Sequence, residues 1–458
     1  MTVVVVGGGI SGLAAAYFLS QDGVAVTVID SARELGGKLR TSEVGGVSVD
    51  EGAEAFLVRR PEAHDLVDRL GLAGELVNPR STKAAIWSRG QLRQMPDRTV
   101  MGLPSDVGTL RGVLSSGELA RVRADEWLPG DPPGEDISVG RWVRRRMGAA
   151  VVDRLIDPML GGVYAGRADD LSLAATLPQL PRNERSALRA ARRALLGSPS
   201  AGTPIFATLR GGLGALPAAL TAAITRRGGM VIAGRTVRQI RRTETGWRVI
   251  HGSVDDELTL DAAAVICATP ASAASRLLFT VAQSAGVELA SIDSASLAIV
   301  TTAWRAGDVP AAGISGYLVP ATYRRPVKAV TLSSAKWAHL NADGIVVARC
   351  SIGRHGEVTD LQRDDADLVA AAVAELTTFA GFRGAPIDSR VSRWGGALPQ
   401  YSVGHLARVA RIRSAVAAEP GLAVCGAAYD GVGIPACIAT AQRAAADVAF
   451  FIKSRESR

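Results

Sequence analysis

Residues 2–30 read TVVVVGGGISGLAAAYFLSQDGVAVTVID and show a strand pattern, a glycine-rich turn, a helix pattern and a second strand pattern. Gly7, Gly9 and Gly12 form GxGxxG directly after the apolar run. The first glycine permits a tight turn and the second lets backbone approach a pyrophosphate, while the third lets helix and strand pack closely. The stretch therefore predicts a βαβ unit with an anion site at the start of its helix.

The second strand of this unit ends in Asp30, 18 positions after Gly12. A carboxylate at that place accepts both hydroxyls of an adenosine ribose and disfavours a phosphorylated ribose. Because strand, turn, helix, strand and acid are in register, we predict that the unit binds a dinucleotide. The candidate contacts here are Gly7, Gly8, Gly9, Ile10, Ser11, Gly12, Asp30 and Ser31.

The bulk composition fits a large globular enzyme. At 458 residues we expect about three domain-sized units. The formal net charge of +8 suits an anionic substrate or an acidic membrane surface, and we expect no nucleic-acid partner. Four widely spaced cysteines predict buried, reduced thiols in a cytoplasmic protein without a metal site. We expect no secretory leader, and no apolar run reaches the roughly 18 residues of a spanning helix.

From about residue 96 to 205 the pattern changes to helical segments with loops rich in proline and glycine. Arginines recur there at helical spacing beside leucines: Arg182, Arg185, Arg189, Arg192 and Arg193 beside Leu188, Leu195 and Leu196. This basic face has two interpretations, a peripheral contact with the inner face of a membrane or an ordinary solvated helix. After residue 205 the pattern returns to alternating strands and helices.

Residues 31–40, SARELGGKLR, resemble the RxxGGR-type segment that follows this unit in flavin amine oxidases, with a lysine in place of the second arginine. The resemblance implies that the segment lies along FAD, with contacts from Arg33, Gly36, Gly37 and Lys38. Residues 49–62, VDEGAEAFLVRRPE, follow where that superfamily brings backbone to the flavin ring. This implies further contacts from Gly52, Ala53, Glu54 and Ala55.

A second glycine loop lies near the C-terminus, where Gly426, Gly431 and Gly433 precede Ile434 and Pro435. Proline suits the first turn of a helix, so a helix is predicted to begin there. By the same resemblance its N-terminus would face the flavin, where the partial positive charge stabilises negative charge on the ring.

Six blocks together resemble the oxygen-dependent protoporphyrinogen and coproporphyrinogen III oxidases over nearly the whole chain. They are GGGISGLAAAYFL at 7–19, GAEAFLVRRP at 52–61, GGVYAG at 161–166, RGGLGALPAAL at 210–220, RWGGALPQYSVGH at 393–405 and GVGIPACI at 431–438. Amine oxidases share the first and the last block, whereas GGVYAG and ALPQYSVGH point to the porphyrinogen branch.

The resemblance implies a six-electron oxidation of a porphyrinogen in haem biosynthesis, with non-covalently bound FAD and with molecular oxygen reduced to hydrogen peroxide. It also implies that Val237 lies at the adenosine end of FAD, Trp394 near the flavin, and Val432, Gly433 and Ile434 at its pyrimidine edge. We assign no catalytic side chain, because hydride would pass to the flavin and no strong base is required.

Substrate propionates need cationic partners, and Arg59 and Arg60 follow residues 52–55, the flavin-adjacent loop. Arg60 is the preferred candidate, although the pair could equally be a solvated helix start. Gly162 and Tyr164 would wall the pocket.

The expected architecture is α/β, with a Rossmann-type FAD-binding domain assembled from residues 1–75, 205–270 and 385–453. Residues 76–95 and 271–384 would form a mixed-sheet substrate-binding domain, and residues 96–204 a helical domain. Coproporphyrinogen III is the favoured substrate and protoporphyrinogen IX the alternative, with other haem-pathway enzymes as candidate partners. An amine oxidase, a carotenoid desaturase and a protein-binding relative of the GDP-dissociation-inhibitor type stay open.

Overall fold

The computed structural model describes residues 1–196, 204–311, 313–341 and 344–456. The strands are β1 (Thr2–Val6), β2 (Ala25–Ile29), β3 (Thr41–Val44), β4 (Val47–Asp50), β5 (Phe56–Leu57), β6 (Leu76–Val77), β7 (Ala84–Ser88), β8 (Gln91–Gln94), β9 (Thr99–Val100), β10 (Leu103–Pro104), β11 (Phe206–Leu209), β12 (Met230–Ile232), β13 (Val237–Arg242), β14 (Trp247–Gly252), β15 (Glu257–Ala262), β16 (Ala264–Cys267), β17 (Ser294–Arg305), β18 (Gly316–Leu318), β19 (Val327–Thr331), β20 (Ile345–Ile352), β21 (Asp388–Pro399) and β22 (Leu422–Val424). The α-helices are α1 (Ile10–Gln21), α2 (Pro61–Arg69), α3 (Ser116–Ala124), α4 (Val139–Met147), α5 (Ala149–Val151), α6 (Asp157–Tyr164), α7 (Leu173–Thr176), α8 (Ala187–Ala194), α9 (Ala215–Arg226), α10 (Ala271–Leu278), α11 (Gln283–Ala290), α12 (Ser333–Lys336), α13 (Asp365–Ala380), α14 (His405–Ala417) and α15 (Ile434–Glu456).

A five-stranded parallel sheet in the order β12-β2-β1-β16-β22 carries the glycine-rich turn. Its central strand β1 is buried from Val3 to Val6, because layers cover both faces of a parallel sheet and leave no solvated side. The predicted strand, turn, helix and strand of residues 2–30 are confirmed, and so is the α/β fold class.

Helices α1, α9 and α15 cover one face of the parallel sheet, and α2 packs beside them. The other face is covered by an antiparallel sheet in the order β13-β14-β15, together with α10, α11 and α14. Residues 271–290, which we expected in the substrate-binding domain, therefore pack on this sheet. The division of the chain into cofactor-binding and substrate-binding parts stays a prediction.

A seven-stranded mixed sheet has the order β21-β17-β20-β19-β18-β7-β8, in which only β18 and β7 run parallel. Helix α13 packs on one face. On the other face the β3–β4 hairpin and Trp337 cover one end. Strand β21 belongs to this sheet through its long pairing with β17, although its residues fall in the stretch 385–453 that we expected in the FAD-binding domain.

A helical unit of α3 to α8 packs around its own core beside the β9–β10 hairpin. A π-helical turn, Val152–Ile156, joins α5 to α6. The predicted helical domain of residues 96–204 includes residues 197–203, which lie outside the described part. Among the basic residues of α8, Arg192 pairs with Glu126 at 3.0 Å, and Arg189 and Arg193 pair with Glu184 at 3.1 and 3.2 Å. These ion pairs favour the solvated helix over a membrane-docking face.

Two further expectations concern cysteines and membranes. All four cysteines are buried and unpaired, as predicted: Cys267, Cys350, Cys425 and Cys437. In the described ranges, every helix is too short or too polar to cross a bilayer.

Replacement of Trp247 tests the packing of the parallel sheet. Trp247 is fully buried between the two sheets and donates a hydrogen bond to the Pro420 carbonyl at 3.2 Å. We expect Trp247→Ala to destabilise the protein by about 3 to 5 kcal/mol, since it leaves a large cavity. Trp127→Ala is the matched control, because Trp127 is 77% exposed and its loss should change stability by less than about 0.5 kcal/mol. Equal midpoints in urea denaturation would contradict this packing.

Candidate cofactor and substrate site

The glycine turn between β1 and α1 brings backbone atoms into direct contact. Gly7 has φ +108°, and a Cβ on Gly12 would lie 1.8 Å from the Gly7 carbonyl oxygen. A Cβ on Gly9 would meet open space. No side chain caps α1, whose first turn holds no acid. Its free N–H groups can therefore bind an anion such as a pyrophosphate, as the motif predicts.

Asp30 lies at the predicted ribose position. Its carboxylate accepts hydrogen bonds from the Gly8 N–H at 2.5 Å and the Ala32 N–H at 2.7 Å. These two bonds orient the carboxylate and leave lone pairs on both oxygens for ribose hydroxyls. Ile10 and Ser11 open α1 beside this turn.

Arg33 and Val237 lie at the same end as Asp30. A Cβ on Gly234 would come within 3.7 Å of the Arg33 side chain, and the Arg235 N–H donates to the Asp30 carbonyl at 2.9 Å. Val237 starts β13 two residues later and is half-buried, while Ser31 and Arg33 are exposed. Arg33 thus lies next to Gly234 near Asp30, and its contact with a cofactor stays a prediction.

The GGK segment lies against the glycine turn. The Gly36 N–H donates to the Gly8 carbonyl at 2.8 Å, and a Cβ on Gly37 would lie 3.2 Å from the Gly9 Cα. Burial lowers the pKa of Lys38, which has no carboxylate partner in the described part of the chain. A desolvated lysine without an ion pair suits a negatively charged cofactor group.

The loop of residues 52–55 packs against the same segment. A Cβ on Gly52 would lie 2.2 Å from the Lys38 carbonyl oxygen and 3.2 Å from the Trp394 ring. Trp394 donates from Nε1 to the Glu51 carbonyl at 3.1 Å. Three stretches that the sequence linked to the flavin, around residues 38, 52 and 394, therefore meet.

The side chain of Glu54 is occupied by two cations. Its carboxylate pairs with Lys336 on α12 at 2.5 Å and with Arg349 on β20 at 2.7 Å. Arg349 also donates to the Gly52 carbonyl at 2.6 Å. Burial alone would raise the pKa of Glu54, but the two cations lower it to about 2. The Glu54 side chain is therefore not free to meet a cofactor, and contacts of Gly52, Ala53 and Ala55 with a cofactor stay predictions.

The second glycine loop ends at the first turn of α15. Gly426 and Gly431 have φ +134° and +142°, and Ile434 and Pro435 open the helix as predicted. Burial raises the pKa of Cys437 in this turn, while a hydrogen bond from Ser11 and the charges of Lys38 and Arg60 lower it. The N-termini of α1 and α15 thus lie close together, near the charges of Lys38 and Arg60.

The GGVYAG and ALPQYSVGH blocks meet beside this loop. The Tyr164 ring at the end of α6 lies 5.6 Å from the Tyr401 ring, and Gln400 Nε2 donates to the Tyr164 carbonyl at 2.7 Å. The Tyr401 hydroxyl donates to the Ala427 carbonyl at 2.6 Å and accepts from the Gly431 N–H at 2.8 Å. Val432 packs against the core of the helical unit.

Tyr401 and Gln400 received no role from the sequence, although both lie in a quoted block. His405 stacks on Tyr401 with ring centroids 3.9 Å apart, and its Nε2 bonds the Tyr429 carbonyl at 3.1 Å. The recurrence of aromatic and polar residues in that block was the available signal. Together these side chains fix the loop that leads into α15.

One face of the seven-stranded sheet stays open beside the flavin-adjacent loop. Leu318, Ala329, Ser351 and Ile299 are paired in turn across β18, β19, β20 and β17, so they share one face. All four are only half-buried although their strands are central. A Cβ on Gly162, itself exposed, would lie 3.6 Å from Leu318. The side chains that this face presents next to α6 are therefore small or apolar.

The two arginines after the flavin-adjacent loop differ in their surroundings. Arg60, the preferred candidate, pairs with Glu62 at 2.6 Å. Arg59 is exposed and has no ion pair in the described ranges. The structure thus makes Arg59 the freer cation, and the assignment of either residue to the substrate stays a prediction.

A glycine-turn βαβ unit joined to a second, mixed sheet defines a dinucleotide-binding protein of the flavoprotein type. Residues 10–449 match the flavin containing amine oxidoreductase family, and the chain belongs to that family. It is an oxidoreductase with a flavin cofactor.

Comparison with individual proteins shows which members of this family the chain is similar to. The chain is 38% identical over 452 residues to coproporphyrinogen III oxidase of Mycobacterium tuberculosis (strain ATCC 25618 / H37Rv), covering 97% of this chain and 96% of the relative. It is 30% identical over 472 residues to coproporphyrinogen III oxidase of Bacillus subtilis (strain 168), covering 99% and 98%. A putative protoporphyrinogen oxidase from Exiguobacterium has a TM-score of 0.86 at 30% identity over 98% of both chains. These similarities confirm the resemblance found in the sequence.

Two glycine replacements distinguish an effect on flavin binding from an effect on folding. Gly9→Ala places its Cβ in open space, so the flavin-free protein should keep its melting temperature while its flavin affinity falls at least about tenfold. Gly12→Ala should lower the melting temperature strongly, because its Cβ would overlap the Gly7 carbonyl. Scanning calorimetry and flavin titration measure both effects. Unchanged flavin affinity in Gly9→Ala would contradict a pyrophosphate at this turn.

Proposed function

We propose that this chain is an FAD-dependent oxidase that converts coproporphyrinogen III to coproporphyrin III with oxygen as the acceptor. The main observation in support is that Tyr164, Tyr401 and Gly431 lie together beside an open sheet face. Those residues belong to the blocks that resemble porphyrinogen oxidases, and the 38% identical relatives carry the name coproporphyrinogen III oxidase.

FAD is favoured over a mononucleotide because the site extends past the pyrophosphate. Asp30 is held by two backbone N–H groups, and Val237 lies beside it at the start of β13. An acid of this kind serves the ribose of an adenosine unit, which only a dinucleotide has.

Each product molecule requires the loss of six hydrogens, so three oxygen molecules would become three hydrogen peroxide molecules. When bound, FAD supplies the acceptor for hydride from a meso carbon of the substrate. Burial raises the pKa of Tyr164 to about 12, so its hydroxyl stays neutral near pH 7 and acts as a wall rather than a base. The pyrrole nitrogens release protons, which requires no strong base from the chain.

The open sheet face next to α6 suits a large, flat macrocycle. Gly162, Ala329 and Ser351 are small, so they leave room over the sheet, while Leu318 and Ile299 offer apolar contact. Tyr164 and Tyr401 close the end beside the second glycine loop and exclude water there. Propionates would project from the macrocycle toward the exposed Arg59.

Protoporphyrinogen IX is the second candidate substrate. Protoporphyrinogen oxidase of Bos taurus is 28% identical over 98% of this chain. Putrescine oxidase, with a TM-score of 0.71 at 17% identity, shares the fold alone. Contacts with a membrane and with other enzymes of haem synthesis stay predictions.

Anaerobic mixing of the flavin-loaded protein with either porphyrinogen tests the function. We expect rapid loss of the yellow flavin absorbance with coproporphyrinogen III, then porphyrin fluorescence once oxygen is admitted. Faster bleaching with protoporphyrinogen IX would reverse the order of the two substrates. Flavin that stays yellow with both would contradict the proposal.

Arg59→Ala tests the propionate contact. We expect KM for coproporphyrinogen III to rise about five- to tenfold with kcat within about twofold, since one ion pair is worth about 1 kcal/mol at an exposed site. The tetracarboxylate should be affected more than the dicarboxylate protoporphyrinogen IX. Arg69→Ala, an exposed arginine at the other end of α2, should change neither constant. Equal KM values in wild type and Arg59→Ala would remove Arg59 from the substrate site.

A further inference from the structure

A small cavity lies behind the flavin-adjacent loop, between β4, β11, α12 and β20. Asp50 and Glu54 line it from the loop side, and Thr208, Ser333 and Arg349 line it from the other elements. It has room for about one water molecule.

Five buried polar atoms on this wall make no hydrogen bond within the described residues. They are Thr208 Oγ1, Ser333 Oγ, Trp337 Nε1, His339 Nδ1 and Arg349 Nε. Native proteins leave few such atoms unpaired, because each has lost its hydrogen bonds to water. Five around one cavity indicate an occupant that can hydrogen-bond to several of them.

The polar groups that line the cavity favour a neutral occupant. Trp337 Nε1 and Arg349 Nε can only donate, while the hydroxyls of Thr208 and Ser333 can donate or accept. An anion would meet the carboxyl groups of Asp50 and Glu54, and a metal ion would meet Arg349. Water satisfies donors and acceptors together, with two to four partners per molecule.

We propose that this cavity binds an ordered water molecule that joins Asp50 to His339 and forms part of the support of the flavin-adjacent loop. His339 is half-buried, so it connects the water to solvent. The Leu213 N–H donates to one oxygen of Asp50 at 2.8 Å and the Gly214 N–H also bonds to this carboxylate, whose remaining lone pairs can accept from the water.

Through this water, the buried carboxyl group of Asp50 would be connected to solvent by hydrogen bonds. Burial raises the pKa of Asp50 to about 7, Arg349 opposes the rise, and Glu54 adds to it. The other charges facing the network are Lys336, which pairs with Glu54, and Arg210. Burial lowers the pKa of His339, and the positive charge of Arg210 lowers it further.

The sign of the pH effect follows from the raised pKa. A carboxyl whose pKa is higher in the folded state than in the unfolded state stabilises the fold at low pH, and this contribution is lost as pH rises through the folded pKa. Above about pH 7 the ionised Asp50 would compete with Glu54 for Arg349, which also holds the Gly52 carbonyl. A loop that is held less firmly would bind flavin more weakly, so flavin binding favours the protonated form of Asp50 and flavin affinity should fall as pH rises through about 7.

Titration of FAD into the wild-type protein from about pH 5.5 to about pH 9 measures this effect, and it rests on the proposed binding of FAD. We expect the affinity to fall about tenfold through pH 7 in the wild type and to stay flat in Asp50→Asn. Thr208→Val with Ser333→Ala removes two water ligands, so the midpoint should move to higher pH. Ser275→Ala, a buried hydroxyl on α10 far along the chain from the cavity, should leave the midpoint unchanged.

A purely packing role would lower affinity equally at every pH without moving the midpoint, and that result would overturn the proposal. A crystal structure of the FAD-loaded wild type provides a test independent of the variants. Water density within about 3.2 Å of Ser333 Oγ, His339 Nδ1 and Asp50 would support the proposal. A closed cavity, or part of FAD inside it, would overturn it. No FAD binding at any pH would contradict the proposed function, and density in the flavin-free crystal would still decide the water.

Discussion

The contact between Gly12 and the Gly7 carbonyl is the constraint on which the site depends. A Cβ on Gly12 would lie 1.8 Å from that oxygen, so α1 can pack this closely against the turn only with hydrogen at that position. The close packing aims the free N–H groups of the helix at the edge of the parallel sheet. Helix α15 starts at the same edge, with Cys437 in its first turn close to Ser11 of α1. The partial positive charges of two helices therefore act on one place.

The second constraint is electrostatic and joins the two large sheets. Arg349 on β20 reaches across to Glu54 at 2.7 Å and to the Gly52 carbonyl at 2.6 Å. Trp394 on β21 bonds the neighbouring Glu51 carbonyl at 3.1 Å. Because both partners belong to the mixed sheet, the open face of that sheet is fixed relative to the flavin-adjacent loop. Separating the loop from the sheet would leave a buried charge of this network unpaired, which is costly. The loop and the sheet should therefore stay in contact and move together.

The helical unit completes the site through aromatic contacts rather than through charge. Tyr164 from α6 and Tyr401 after β21 lie side by side, and the Tyr401 hydroxyl holds both Ala427 and Gly431. The arginines of α8 pair with glutamates of the same unit. Three of the five arginines of the basic face quoted from the sequence are thus paired inside the fold.

The sequence by itself determined the βαβ unit, its glycine turn, Asp30 and the start of α15, because these features depend on residues close together in the chain. Positive φ angles, strand alternation and helix periodicity are local properties. Only the tertiary structure decided that Arg60 is paired while Arg59 is exposed, and that the Glu54 side chain is occupied. Glu54 and Arg349 are 295 positions apart, and five orphaned atoms meet in one cavity from β11, α12, β20 and the segment after α12. Such contacts depend on how the sheets pack, which no pattern along the chain specifies.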